Sequence, residues 1–234
     1  LACLADMGST TRAELHRVAA HVLGRRRYAV SGHFGLRASP AGISTPAYGP
    51  EPEMLRLTPV CLVREVGSVA RGLALDGATL GTLAAFAGAD LGDAFSAGAD
   101  MPAAGPADEP LELDAHELAD LFSWFDLAWR VLDEVLAERT GSCEAATIQL
   151  WPEHFDVGTS LAFGTGDGVN LGFSPGDGFS DAAYVYVGPW GAARPGPSSY
   201  WNAPFGAVLT RSEVRGADDG LAFIRTGLDF LGVG

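Results

Sequence analysis

His154-Phe155-Asp156-Val157-Gly158-Thr159-Ser160-Leu161-Ala162-Phe163 runs into Gly164-Thr165-Gly166-Asp167-Gly168 and leaves through Val169-Asn170-Leu171-Gly172-Phe173. Apolar residues alternate on both sides of the break, and an Asp-Gly pair between two such runs marks a tight reversal. The stretch therefore predicts an antiparallel hairpin with strands at 154–163 and 169–173. Further strands are expected at Ala146–Trp151, Ala183–Val187 and Phe205–Leu209, the last two joined by an irregular Gly188–Pro204 loop.

Upstream lies the strongest helical pattern in the chain. Asp114 and Glu117 form a capping box, and the helix is expected to run to about Arg139 before Gly141. Leu118, Leu121, Phe122, Phe125, Trp129, Leu132 and Leu136 make its core face. A second stripe of Trp124, Leu127 and Val131 widens the apolar surface beyond the usual ~100° and is a candidate homodimer interface. A C-terminal helix is expected over Asp218–Leu231.

The first half reads in the same order. Thr11 with Glu14 predicts a capped helix carrying Leu15, Val18, Ala19 and Val22, with Gly24 as its C-terminal cap. The period then changes to two: Tyr28, Val30, Gly32, Phe34 and Leu36 face one way, and Ala29, Ser31, His33 and Arg37 the other. A turn at Pro40-Ala41-Gly42, extended pieces at Ile43–Ala47 and Met54–Val66, and a helix over Thr79–Ala87 closed by Gly88 follow. The expected fold is α+β: mostly antiparallel sheet backed by helices, in two similar helix–strands–helix halves at about 9–90 and 111–232, a degenerate internal duplication. An Ala/Gly/Pro/Asp-rich loop at 91–110 joins them, within one domain spanning 1–234.

Charge narrows the partners. The net charge is -14, from 29 acidic residues and 15 arginines with no lysine. A chain so acidic is repelled by nucleic acid and by anionic membrane surfaces, and it has neither a Schiff-base nor a P-loop lysine. No apolar run reaches the roughly 18 residues of a membrane span. Cys3, Cys61 and Cys143 are odd in number and far apart, which points to buried thiols in a reducing compartment. Leu1–Asp6 lacks the basic region and long apolar core of a secretory leader, so a cytoplasmic location is expected.

The densest polar cluster is Trp151-Pro152-Glu153-His154-Phe155-Asp156. Pro152 interrupts one strand and begins another, placing these residues at a rim. His154 and Asp156, two apart on a strand, would share a face; an imidazole beside a carboxylate can serve as a general base or as part of a metal site, with Glu153 as the other candidate acid. His33-Phe34-Gly35-Leu36 echoes His154-Phe155-Asp156-Val157, so the two histidines are expected at equivalent places. Aromatic residues crowd the same half: Trp190, Tyr200 and Trp201 in the long loop, and Tyr184 and Tyr186 on one strand face. Gly164–Gly168 and Ser174–Gly178 read as hairpin turns, because neither precedes a helix whose N-terminus could hold a phosphate. No pattern identifies a cofactor or a metal.

The segments Leu150–Asp156, Phe173–Asp177, Tyr184–Trp190 and Arg27–Arg37 resemble uncharacterised actinobacterial proteins of a domain-of-unknown-function family. The resemblance implies a bacterial origin and a single structural unit, and brings no activity with it. The expected function is small-molecule binding in an aromatic-lined pocket, with His33, Arg37, Trp151, Asp177, Tyr186, Trp190, Tyr200 and Trp201 as ligand contacts. The alternatives are an enzyme acting on a small molecule through His154 with Asp156 or Glu153, and a protein-interaction module.

Overall fold

The computed structural model describes residues 9–39, 41–139, 143–164 and 166–233. Expectations placed on Cys3, Pro40, Gly141 and Thr165 lie outside them. The fold is α+β with two antiparallel sheets backed by helices, arranged as two compact units. One comprises Leu1–Ser123 with Leu150–Phe155, the other Trp124–Gln149 with Asp156–Gly234.

In the first unit, α1 (Ser9–Val18), a π-helical turn (Ala19–Gly24) and α2 (Arg25–Ser31) form one continuous helix. The expected capping box is absent. Thr11 lies inside α1, where its Oγ1 accepts from the Asp114 N–H, and Glu14 pairs with Arg17. Gly24 does not end the helix, nor does a strand begin at Tyr28; the helix stops at Gly32, in left-handed backbone with φ 71°. A Cβ on Gly24 would lie 3.3 Å from Pro152 Cγ, so that glycine serves close approach by the 150–155 segment. Arg25, Arg26 and Arg27 favour helix. Each also tethers the helix: Arg25 donates to Asp90 O and Asp93 O, Arg26 to the Glu53 carboxylate, and Arg27 to Gly35 O.

The first sheet follows chain order: β1 (Arg37–Ser39), β2 (Gly42–Ser44), β3 (Glu53–Leu57), β4 (Cys61–Val66) and β5 (Val69–Ala74). Strand β5 escapes a reading by alternation because nearly all of it is exposed, so neither face needs to be apolar. Ile43, Leu55, Leu57 and Leu62 join Leu15, Val18, Val22 and Leu23 among the fully buried side chains. Helix α3 (Leu80–Ala87) starts at a Thr79–Thr82 capping box and ends at left-handed Gly88, as expected. The 91–110 loop has no helix or strand, yet it is pinned. Arg17, His21 and Arg25, four residues apart on one helix stripe, bond to the backbone carbonyls of Ala104 and Pro106, of Pro102, and of Asp90 and Asp93.

Helix α4 (Ala115–Glu138) is capped by Asp114 Oδ1, which accepts from the His116 and Glu117 N–H groups. β6 (Glu144–Ala145) and β7 (Gln149–Trp151) follow. β8 (Asp156–Ala162), β9 (Gly168–Ser174), β10 (Tyr184–Pro189) and β11 (Ala207–Thr210) lead to α5 (Ala217–Phe230). The second sheet has the order β11-β10-β9-β8-β6. Asp167-Gly168 closes the β8–β9 hairpin, with Phe163 N–H donating to Asp167 O. Val157 and Leu161, Val169, Leu171 and Phe173, and Val185 and Val187 alternate into the core with Ile224 and Leu228 of α5.

The Trp124 stripe is internal. Trp124 is 2% and Val131 1% exposed, and Leu127 is half-buried. The Trp124 indole N–H donates to Ser174 O, its ring meets Phe173 edge-on at 5.2 Å, and Arg211 lies over it. Cys61 and Cys143 are half-buried, less enclosed than expected. Among the described residues no helix is long and apolar enough to cross a membrane.

Candidate functional site

The alternation that sends Val185 and Val187 to one face of the second sheet sends Tyr184, 4% exposed, and Tyr186 to the other. Tyr186 stands in register with Gly172 of β9, which stands opposite Gly158 of β8. The phenol lies across this glycine row. A Cβ on Gly172 would come within 2.4 Å of its hydroxyl, and one on Gly158 within 2.9 Å. Passing over the bare backbone, the hydroxyl donates to Oδ2 of Asp156 at 2.5 Å.

A second phenol–carboxylate pair lies alongside. Tyr184 donates to Oδ2 of Asp177 at 2.6 Å, and Ser174 Oγ donates to the same oxygen at 3.2 Å. Asp177 Oδ1 accepts from the Phe179 and Ser180 N–H groups, fixing the β9–β10 connection as an Asx turn. Burial first, then the adjoining carboxylate, raises both tyrosines above their ordinary pKa. Both phenols therefore remain protonated donors at neutral pH, while Asp156 is 8% exposed.

Aromatic rings flank the two pairs. Phe179 and Phe205, 46% and 37% exposed, meet edge-on at 5.0 Å. Phe179 contacts Tyr184 at 5.6 Å, and Phe205 lies 6.5 Å from Tyr186 at 89°. The result is a sheet face with one buried acceptor, Asp156, one exposed acceptor, Asp177, fixed hydroxyl donors and an exposed aromatic edge. It suits a ligand that offers both a flat apolar part and a polar group.

The expected site residues are divided between the two units. His33, Arg37, Trp151, Glu153 and His154 belong to the first unit; Asp156, Asp177, Tyr186, Trp190, Tyr200 and Trp201 belong to the second. His154 is not on a strand with Asp156: it lies in the 152–155 turn, and β8 begins at Asp156. The turn closes through buried Phe155, whose φ of 57° is left-handed and costs about 1 kcal/mol or more for a bulky residue. Its ring stacks on His16 at 4.7 Å, and His16 Nε2 bonds to Pro152 O at 2.8 Å. His154 instead faces Asp100, Nδ1 to Oδ2 3.1 Å, with side chains 54% and 70% exposed. His33 is exposed beyond α2 and belongs to the same unit as His154.

The loop aromatics pack within their own unit. Trp190 lies against Gly168 and donates to Asn170 Oδ1, Trp201 donates to Pro195 O, and Tyr200 donates to Phe223 O over Gly227. Trp151 meets Phe34 edge-on at 6.4 Å. Glu153 is buried. Among the described residues no group of three or more His, Cys, Asp or Glu is placed to hold a metal ion.

Sequence reasoning singled out Tyr186, Asp156 and Asp177 but not the pairs they form. The available signal was glycine on one sheet face: Gly158 on β8 and Gly172 on β9, beside a strand bearing two tyrosines on that face. Comparison with family models, curated proteins and solved structures finds no match.

Proposed function

We propose that the tyrosine-bearing face of the second sheet binds a small organic molecule, with Phe179 and Phe205 as the apolar contact and the Tyr184–Asp177 and Tyr186–Asp156 pairs as the polar one. The observation that carries this reading is the pairing of two phenols with two carboxylates beside exposed aromatic edges. A buried acid such as Asp156 costs desolvation that an apolar packing would avoid, so its presence points to use. Exposed large aromatics beside them supply the contact area a ligand needs. The same reading takes the protein as cytoplasmic, supported by the free thiol of Cys61.

A thermal-shift screen of ring-bearing amines, alcohols and neutral heterocycles at constant pH tests the proposal. A ligand at about 100 times its dissociation constant adds roughly 2.7 kcal/mol of stability. Phe179→Ala with Phe205→Ala should abolish the shift while leaving the fold, read by circular dichroism, intact. A screen in which no class shifts the wild type more than that double variant removes the proposal.

A further inference from the structure

The first sheet presents a second, chemically different surface. Ala38 pairs with Ile43 and Ile43 with Leu57, which puts these residues on the core side. Arg37, Ser44 and Arg56 therefore share the other side, and they stand in one row: Arg37 opposite Ser44, Ser44 opposite Arg56. Neighbouring strands are about 4.8 Å apart, so the two arginine Cα atoms straddle Ser44 at roughly 10 Å. Both guanidiniums can reach a group seated above the serine hydroxyl. Arg37 is exposed, and neither its guanidinium nor the Ser44 hydroxyl has a partner among the described residues. Arg56 is 39% exposed and gives Nη2 to Glu65 at 2.8 Å, while its Nε is buried. A third cation comes near: Arg27 donates to Gly35 O, two residues before Arg37.

Acidic residues outnumber arginines 29 to 15 in this chain. An arginine with no carboxylate, in register with a second whose half-exposed guanidinium meets only Glu65, is thus a local excess of donors against the prevailing charge. We propose that the Arg37–Ser44–Arg56 row binds an oxyanion, a phosphate monoester group in particular. The planar guanidinium forks match phosphate oxygens and the serine hydroxyl supplies a further donor. The net charge of -14 does not forbid this, because repulsion from charges more than about 8 Å away is largely screened at physiological salt. Glu65 competes with the anion for Arg56. This row belongs to the first unit, and the aromatic face of the second sheet to the second.

Inorganic phosphate and methyl phosphate, titrated calorimetrically against chloride of matched ionic strength with acetate in parallel, test the inference. Saturable binding of both phosphates ahead of acetate is expected. Arg37→Gln should weaken it about tenfold, as the loss of one charge-assisted contact does. Ser44→Ala should weaken it less, and Glu65→Gln should tighten it. The proposal is overturned if no phosphate binds saturably, if acetate binds equally well, or if folded Arg37→Gln and Ser44→Ala both bind phosphate as the wild type does.

Discussion

The Tyr186 hydroxyl reaches Asp156 across two strands only because Gly172 and Gly158 leave the backbone bare beneath it. Gly172→Ala should therefore destabilise by about 1–3 kcal/mol, the usual cost of overpacking. The same change in a Tyr186→Ala background should be nearly neutral. Denaturant midpoints for the four proteins of this cycle measure the coupling, and additive effects would contradict the contact.

Tyrosine ionisation gives an independent reading of burial. Tyr48, Tyr184, Tyr186 and Tyr200 are all raised above 10.0, each chiefly by burial. A raised folded-state pKa means stability that is full below the unfolded value and is lost as pH climbs toward the folded one. Absorbance at 295 nm should show these phenols un-ionised at pH 10 in native protein, then ionising together with alkaline unfolding. In guanidinium all five tyrosines should titrate near their ordinary value.

At the acid end His16 decides. Burial lowers its pKa from 6.5 to about 4, against the raising effect of its bond to the Pro152 carbonyl. Burial also lowers His21. A depressed folded-state value means stability is complete above 6.5 and falls as pH drops toward 4. The loss attributable to His16 should reach up to about 3 kcal/mol. His16→Phe, which keeps a ring on Phe155, should flatten the pH profile between those limits, and chemical denaturation across the range checks it.

Trp124 distinguishes a core residue from an interface residue. Trp124→Ala should cost about 3–5 kcal/mol, with the mass in solution unchanged from wild type. A change in mass with little loss of stability would contradict its enclosed position. His154→Ala, breaking an exposed pair, should alter stability by less than about 0.5 kcal/mol.

The second sheet was legible because its strands alternate in the usual way: Val169, Leu171 and Phe173 on one face, Asn170 and Gly172 on the other. The same holds for α3, whose Thr79 and Gly88 end it in the expected manner. Misreadings cluster where a residue acts through contacts distant in sequence. Gly24 resembles a helix cap but clears room for Pro152. Tyr28 to Ser31 alternate like a strand, yet three preceding arginines tie that stretch down as helix to carbonyls and a carboxylate 8 to 68 residues away. The candidate site was half visible. Tyr186 and Asp156 are 30 residues apart, and only the strand register shows that they meet.

The three-rung grip of Arg17, His21 and Arg25 on the 90–106 stretch makes its hydrogen bonds to main-chain oxygens, with Arg25 also lying over the Phe95 ring. Every residue type supplies such an oxygen. Positions that contribute only a carbonyl are thus at liberty to drift in composition, whereas the gripping helix is not: a random-substitution library should tolerate wide change at positions 102, 104 and 106 and little at 17, 21 and 25.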